Sequence, residues 1–190
     1  AVQGYNIPLG ALGCFILWFG WYGFNGAAAT SGSQLAGIFL TTTIAPAIAT
    51  VTALIYTWIK NGKPDVSMCI NASLAGLVCV TAGFHCIDAA GAIVEGIISG
   101  IAVIVAIEFI DIKLHIDDPV GAVGVHCANG ILGTILAGVL ATNTSSAGVD
   151  GPVYAMIHGT DMAAAWKVVG VQLLGITCII IWTAVLMGAT

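Results

Sequence analysis

Apolar residues run along this chain in long blocks, separated by short polar clusters. Six blocks stand out, over residues 7–24, 35–59, 66–84, 90–112, 119–141 and 165–187. Each is close to the ~20 residues that an α-helix needs to cross a hydrocarbon core of ~30 Å. Barrel strands would instead alternate apolar with polar positions over ~10 residues, a pattern this chain does not show. The blocks predict an all-α, polytopic membrane protein with one transmembrane domain over residues 1–190. The breaks are short except 142–164, which is rich in Thr, Ser, Gly and Asp with a weak apolar patch at 153–157.

Composition agrees with that solvent. Hydrophobic residues make up 59% of the chain and charged residues 7%, with a mean hydropathy of +1.06. A soluble domain carries ~25% charged residues, so this chain belongs in the cell membrane as a multi-pass protein. The excess of lysine in inner loops sets its orientation. Lys60, Lys63 and Lys113 fall in breaks on one side, which is therefore cytoplasmic, and only Lys167 lies at an outer end. Both termini are then expected inside, with 26–34, 85–89 and 142–164 outside. Four lysines and no arginine, at a net charge of −5, leave no basic patch for nucleic acid.

Small residues supply the packing that lipid cannot drive. Gly96-x-x-x-Gly100, Gly121 with Gly124, and Gly130, Gly133 and Gly138 read as positions of close helix approach. Pro46 frees a carbonyl inside the second block, and Thr41, Thr42 and Thr43 lie within reach of it. The six cysteines occur singly, with no C-x-x-C pair, and read as packing residues rather than metal ligands. The chain starts at Ala1 without methionine and stops at Thr190 just after an apolar block, the pattern expected of part of a longer polypeptide.

The groups able to carry chemistry are few. Asp117-Asp118-Pro119 fits a helix start, with Asp118 capping free amides and Pro119 at the first helical position. His126 then falls about two turns inside the fifth block, ~11–13 Å along the axis. Counting by threes and fours puts Ala122, Val123, Asn129, Gly130 and Gly133 on the same small, mildly polar face. An ionisable group at such depth usually faces a protein interior or a solute path. His115, beside the aspartates, and His85 and His158, in outer breaks, are expected to be solvated. Glu95, in the outer third of the fourth block, needs a neutralising partner, which a segment outside this chain could supply. Trp21, Tyr22, Phe24 and Asn25 end the first block, either as an aromatic belt at the interface or as a funnel attracting cations through ring quadrupoles. No nucleophile with its base, phosphate cradle or closed metal site is present, so neither an enzyme nor a cofactor is expected.

These residues resemble a known family. Asn6-Ile7-Pro8-Leu9 leading to Gly20-Trp21-Tyr22-Gly23-Phe24-Asn25 is similar to the sixth span of the Amt/Mep/Rh ammonium transporters. Asp117-Asp118-Pro119 through Gly124-Val125-His126, with Asn129-Gly130, resembles the tenth. Gly62-Lys63-Pro64 with Ala75-Gly76-Leu77-Val78 resembles the join into the eighth. The resemblance implies an eleven-span fold of two inverted five-helix repeats enclosing a pore. This chain would provide the second repeat plus the last helix, spans six to eleven. A missing N-terminal half, spans one to five, is then a required partner. A homotrimer and a cytoplasmic PII-type regulator are further partners that the resemblance implies.

Carried over by motif, His126 is similar to the second of two pore histidines, Phe24 to one ring of a phenylalanine gate, and Trp21 lines the pore nearby. Asn25 adjoins them as a pore or substrate-binding residue, while Asp118 and Pro119 resemble the structural start of the tenth helix. Three departures stand out. Ala28 replaces the serine that helps bind ammonium at the outer mouth. Gly121 replaces a carboxylate often found five residues before the histidine, and Cys127 replaces the usual glycine after it. The expected activity is an ammonium or ammonia channel or transporter with a hydrophobic pore and a mid-membrane histidine. The alternative is an ammonium sensor on the same scaffold that binds without transport. A metal transporter using His and Cys is disfavoured, because the adjacent His126 and Cys127 point to different helix faces.

Overall fold

The chain folds into apolar helices, and the computed structural model describes residues 6–142 and 149–189 of it. The described residues contain helices and turns but no strand. Helix α1 spans Ile7–Gly26, α2 Gly32–Asn61, α3 Val66–Thr81 and α4 Ala89–Glu108. Asn6, Ser31, Asp65 and Asp88 begin these four in turn, each accepting a bond from an otherwise free amide of the first turn. A π-helical turn, Phe109–Lys113, continues α4. π-helical turns at Val123–Ala128 lead into α5, Asn129–Val139, followed by the short α6, Pro152–His158, and by α7, Met162–Ala189. Ile7–Gly26, Gly32–Asn61, Ala89–Lys113 and Met162–Ala189 are long and apolar enough to cross a membrane, and Val66–Thr81 and Val123–Val139 are shorter apolar helices.

Helix α2 is the axis of the bundle, with α3 and α4 packed along it. A Cβ on Gly96 would fall 2.6 Å from the Ala45 carbonyl oxygen, and one on Gly100 2.6 Å from that of Ala49. Helix α4 therefore rests on α2 backbone to backbone, a separation that only glycine permits. Around this seam Ala53, Ala72, Ala75, Val103, Ile104, Ile107 and Val125 form an enclosed cluster. The C-terminal ends of α2 and α4 are joined where Lys60 donates to Glu108 at 2.6 Å.

The threonines before Pro46 bond elsewhere than expected. Thr41 donates to the carbonyls of Ile38 and Phe84, and Thr43 to that of Phe39. They stitch the preceding turn and reach the α3–α4 connection, while α2 passes through Pro46 as one helix.

The start of the fifth segment also differs. Pro119 does not open the helix; it lies in a turn closed by the Gly121 amide on the Asp118 carbonyl at 3.0 Å. Gly121 then takes a φ of +71°, a left-handed conformation that costs other L-residues ~1–2 kcal/mol. Helical turns begin only at Val123. Asp118 caps them from across the glycine, its two carboxylate oxygens accepting from Ala122 at 2.8 Å and Val123 at 2.9 Å.

Beyond α5, the weak apolar patch forms α6. Gly151 seats this helix against α5, donating to the Ala141 carbonyl at 2.8 Å. Helix α7 touches the bundle through Val169 and Gln172 near Gly138, and leaves Trp166, Leu174, Ile179, Trp182 and Met187 exposed. Such an apolar surface fits lipid rather than water.

Candidate functional site

At the C-terminal end of α1, about two turns of aromatic sequence divide between two faces. Phe24 is 68% exposed, and the half-buried Trp21 meets it edge-on, with ring centroids 6.0 Å apart. The indole N–H of Trp21 donates to the Thr81 hydroxyl on α3 at 2.7 Å. One turn earlier, Trp18 donates to Ser73 on the same helix, also at 2.7 Å. Two indoles thus tie α1 to α3 by their nitrogen edges.

Asn25, expected among the substrate-binding residues, lies beneath these rings. It is 0% exposed. Its amide nitrogen donates to Thr42 on α2 at 3.1 Å, and its carbonyl accepts from Thr81 at 3.4 Å. Burial of an amide is costly without such partners. The carboxamide is thus engaged on the protein side of α1. Ala28 stands exposed just past the helix end.

His126 projects from the π-helical turns with its residue exposed, while Gly124 and Val125 on the same turns are buried. A Cβ on Gly124 would meet Ile107 at 2.6 Å, so these turns lie flat on the C-terminal half of α4. Asn129 does not share the histidine's face. It is 0% exposed, and its amide donates back to the Gly124 carbonyl at 2.8 Å. The three-and-four spacing rule holds for an α-helix; π turns close bonds five residues apart, so a residue three along lands elsewhere. Among the described residues, no hydrogen bond or ring contact engages the His126 imidazole. Helix α3 packs against both α1 and the turns that carry His126.

The other ionisable groups divide differently. Glu95 is 0% exposed, enclosed by this chain's own helices. Neither of its carboxylate oxygens, nor the Ser99 hydroxyl one turn along, has a hydrogen-bond partner among the described residues. Gly83 on the α3–α4 connection lies against it. The Cys86 thiol is 3.2 Å from His85 Nε2, and burial pushes that thiol's pKa up. Among the described residues no three His, Cys, Asp or Glu side chains converge as a metal site would require. A cleft of about 560 Å³ opens between the start of α2 and the α3–α4 connection, lined by Gln34, Thr41, His85 and Asp88 among others. It includes none of Trp21, Phe24 or His126. The residues missed by sequence reasoning are Thr42, Ser73 and Thr81, whose hydroxyls look like ordinary intramembrane threonine and serine until the rings are seen to bond them.

Apolar spanning helices that present an aromatic pair and an imidazole on open faces define a polytopic membrane protein. The profile of the Ammonium Transporter Family matches residues 1–190, and the chain belongs to that family. It is 39% identical over 143 residues to the ammonium transporter Amt2 of Archaeoglobus fulgidus, covering 74% of this chain and 30% of that protein. It is 34% identical over 187 residues to an ammonium transporter of Mycobacterium tuberculosis, covering 96% and 38%. Among solved structures, it superposes on Mep2 of Saccharomyces cerevisiae with a TM-score of 0.81 at 26% identity, covering 93% of this chain and 39% of that one. It superposes on a sensor Amt protein with a TM-score of 0.72 at 34% identity, covering 92% and 44%. The chain therefore spans well under half the length of these relatives.

Proposed function

We propose that this chain forms one half of an ammonium-conducting pore, with Trp21 and Phe24 at its outer constriction and His126 in the membrane interior. The observation that carries this reading is His126 itself, an imidazole presented outward from turns laid on Val103 and Ile107. Those two residues lie ~15 and ~9 Å from the end of the helix at Lys113, at ~1.5 Å per residue. The ring is then deep in an apolar slab of ~30 Å, and needs an enclosing wall. Family membership supports helices from the remaining length as that wall. A homotrimer of such pores, and a cytoplasmic PII-type regulator, belong to the same proposal.

The chemistry follows from solvation. A bare cation in a dry, low-dielectric pore costs tens of kcal/mol in Born terms. K⁺ and Na⁺ cannot reduce that cost, whereas ammonium can release its proton. A neutral imidazole then hydrogen-bonds ammonia or relays the proton, and apolar walls exclude whatever remains charged. The test is methylammonium uptake by the assembled pore. His126→Ala should lower uptake or admit K⁺. Unchanged rate and unchanged exclusion of K⁺ would sink the mechanism.

One observation favours a second reading, the likeness to a sensor Amt protein at 34% identity. In a sensor the same groups bind ammonium without passing it. Failure to restore growth on low ammonium, together with saturable ammonium binding, would select that reading.

A further inference from the structure

We infer that Thr81 and Asn25 are positioning residues that set the orientation of the Trp21 ring at the outer constriction, without touching the solute. This rests on the pore reading above.

The bond geometry assigns the roles. The Thr81 hydroxyl has one hydrogen, and the Leu77 carbonyl one turn back accepts it at 2.7 Å. Helix α3 therefore orients this hydroxyl, leaving lone pairs for the Trp21 N–H at 2.7 Å. The Asn25 carbonyl, at 3.4 Å, takes a lesser share of the same hydrogen. Asn25 is anchored in turn by donating to Thr42 on α2. Side chains of three helices are thus linked behind one indole, so the ring cannot turn without breaking its part-buried bond to Thr81. A donor drawn partly out of solvent is penalised when it loses its acceptor, which stiffens the ring's pose.

That pose matters because Trp21 meets Phe24 at an interplanar angle of 69°. Phe24 itself is largely exposed, and Trp21 is its aromatic contact among the described residues. The constriction's shape is therefore set from behind, through Thr81, rather than by residues lining the path. Trp18 on Ser73 is an independent pair of the same kind one turn away, and serves as an internal control.

The experiment labels the assembled pore with 5-fluorotryptophan and assigns the Trp21 resonance through Trp21→Phe. Thr81→Val keeps shape but removes the acceptor, Thr81→Ser keeps the acceptor, and Ser73→Ala disturbs only Trp18. Thr81→Val should shift or broaden the Trp21 resonance and leave that of Trp18 in place. It should also raise the KM for methylammonium about threefold to tenfold, the effect of losing one hydrogen bond. Thr81→Ser should restore both values, and Asn25→Ala should move the Trp21 resonance in the same direction as Thr81→Val. A Trp21 resonance unmoved by Thr81→Val, or a serine variant as impaired as the valine one, overturns the inference. Failure of the pore reading shows separately, as an unmutated protein without methylammonium uptake, whatever the fluorine spectrum reports.

Discussion

The side-chain amide of Asn129 donates to the carbonyl of Gly124 across 2.8 Å, spanning the turns that carry His126. The bond is enclosed, and it sits where the chain winds more loosely than an α-helix. Asn129→Ala removes this enclosed bond, at a net cost of about 1 kcal/mol. Thermal unfolding in detergent should show a lowered midpoint, and methylammonium uptake should fall with it as the imidazole swings. A midpoint equal to that of the unmutated protein would show that the amide does not hold these turns.

Glycines in this chain differ in what surrounds them. Gly96→Val should disrupt the α2–α4 seam, since even a Cβ meets Ala45 and the Ile48 side chain at under 3 Å. Gly170→Ala meets nothing within 4 Å, and alanine is favoured over glycine in a helix by ~1 kcal/mol. Folded yield and thermal midpoint should therefore drop for the first and hold or rise for the second. Equal effects would mean that the seam is not the tight contact described.

Glu95 offers an opposite expectation. An isolated ionised carboxylate in an apolar interior is costly, and this one has no partner among the described residues. Glu95→Gln keeps the shape and removes the need to hold a charge, so stability should be unchanged or higher. Glu95→Lys should abolish folding, having no neighbouring anion to meet. A glutamine variant that unfolds several degrees earlier would reveal a use for the charge.

Cys86 lies outside the spans, and burial raises its thiol pKa. Only the thiolate is alkylated, so maleimide labelling at neutral pH should be slower than for a free cysteine. The rate should keep climbing past the ordinary thiol range near ~8.5. Peptide mapping across a pH series would measure it, and a plateau at the ordinary value would contradict the burial.

How much of the site was legible follows from which residues act alone. His126 could be singled out because a lone imidazole in an apolar block is conspicuous on cost grounds, and Trp21 and Phe24 because their motif is specific. Asn25 was found but misread, since its burial depends on Thr42 and Thr81, 17 and 56 residues away. Thr81 itself carries no local signal. Asn129 was assigned to the histidine's face by an α-helical count that the π turns invalidate.

The sequence by itself determined the solvent, the helical class and the family, because each follows from composition, block length or a local motif. Only the tertiary structure decided that helical turns start at Val123 rather than Pro119, that Asn129 and Asn25 turn inward, and that Glu95 is enclosed. The reason is that most of these outcomes depend on partners far along the chain, and that of Asn129 on a π winding that no local motif announces. Gly121 takes its left-handed turn where Ile107 and Asn71 leave no room for a side chain. Glu95 is sealed where Gly83 and Ala137 close over α4.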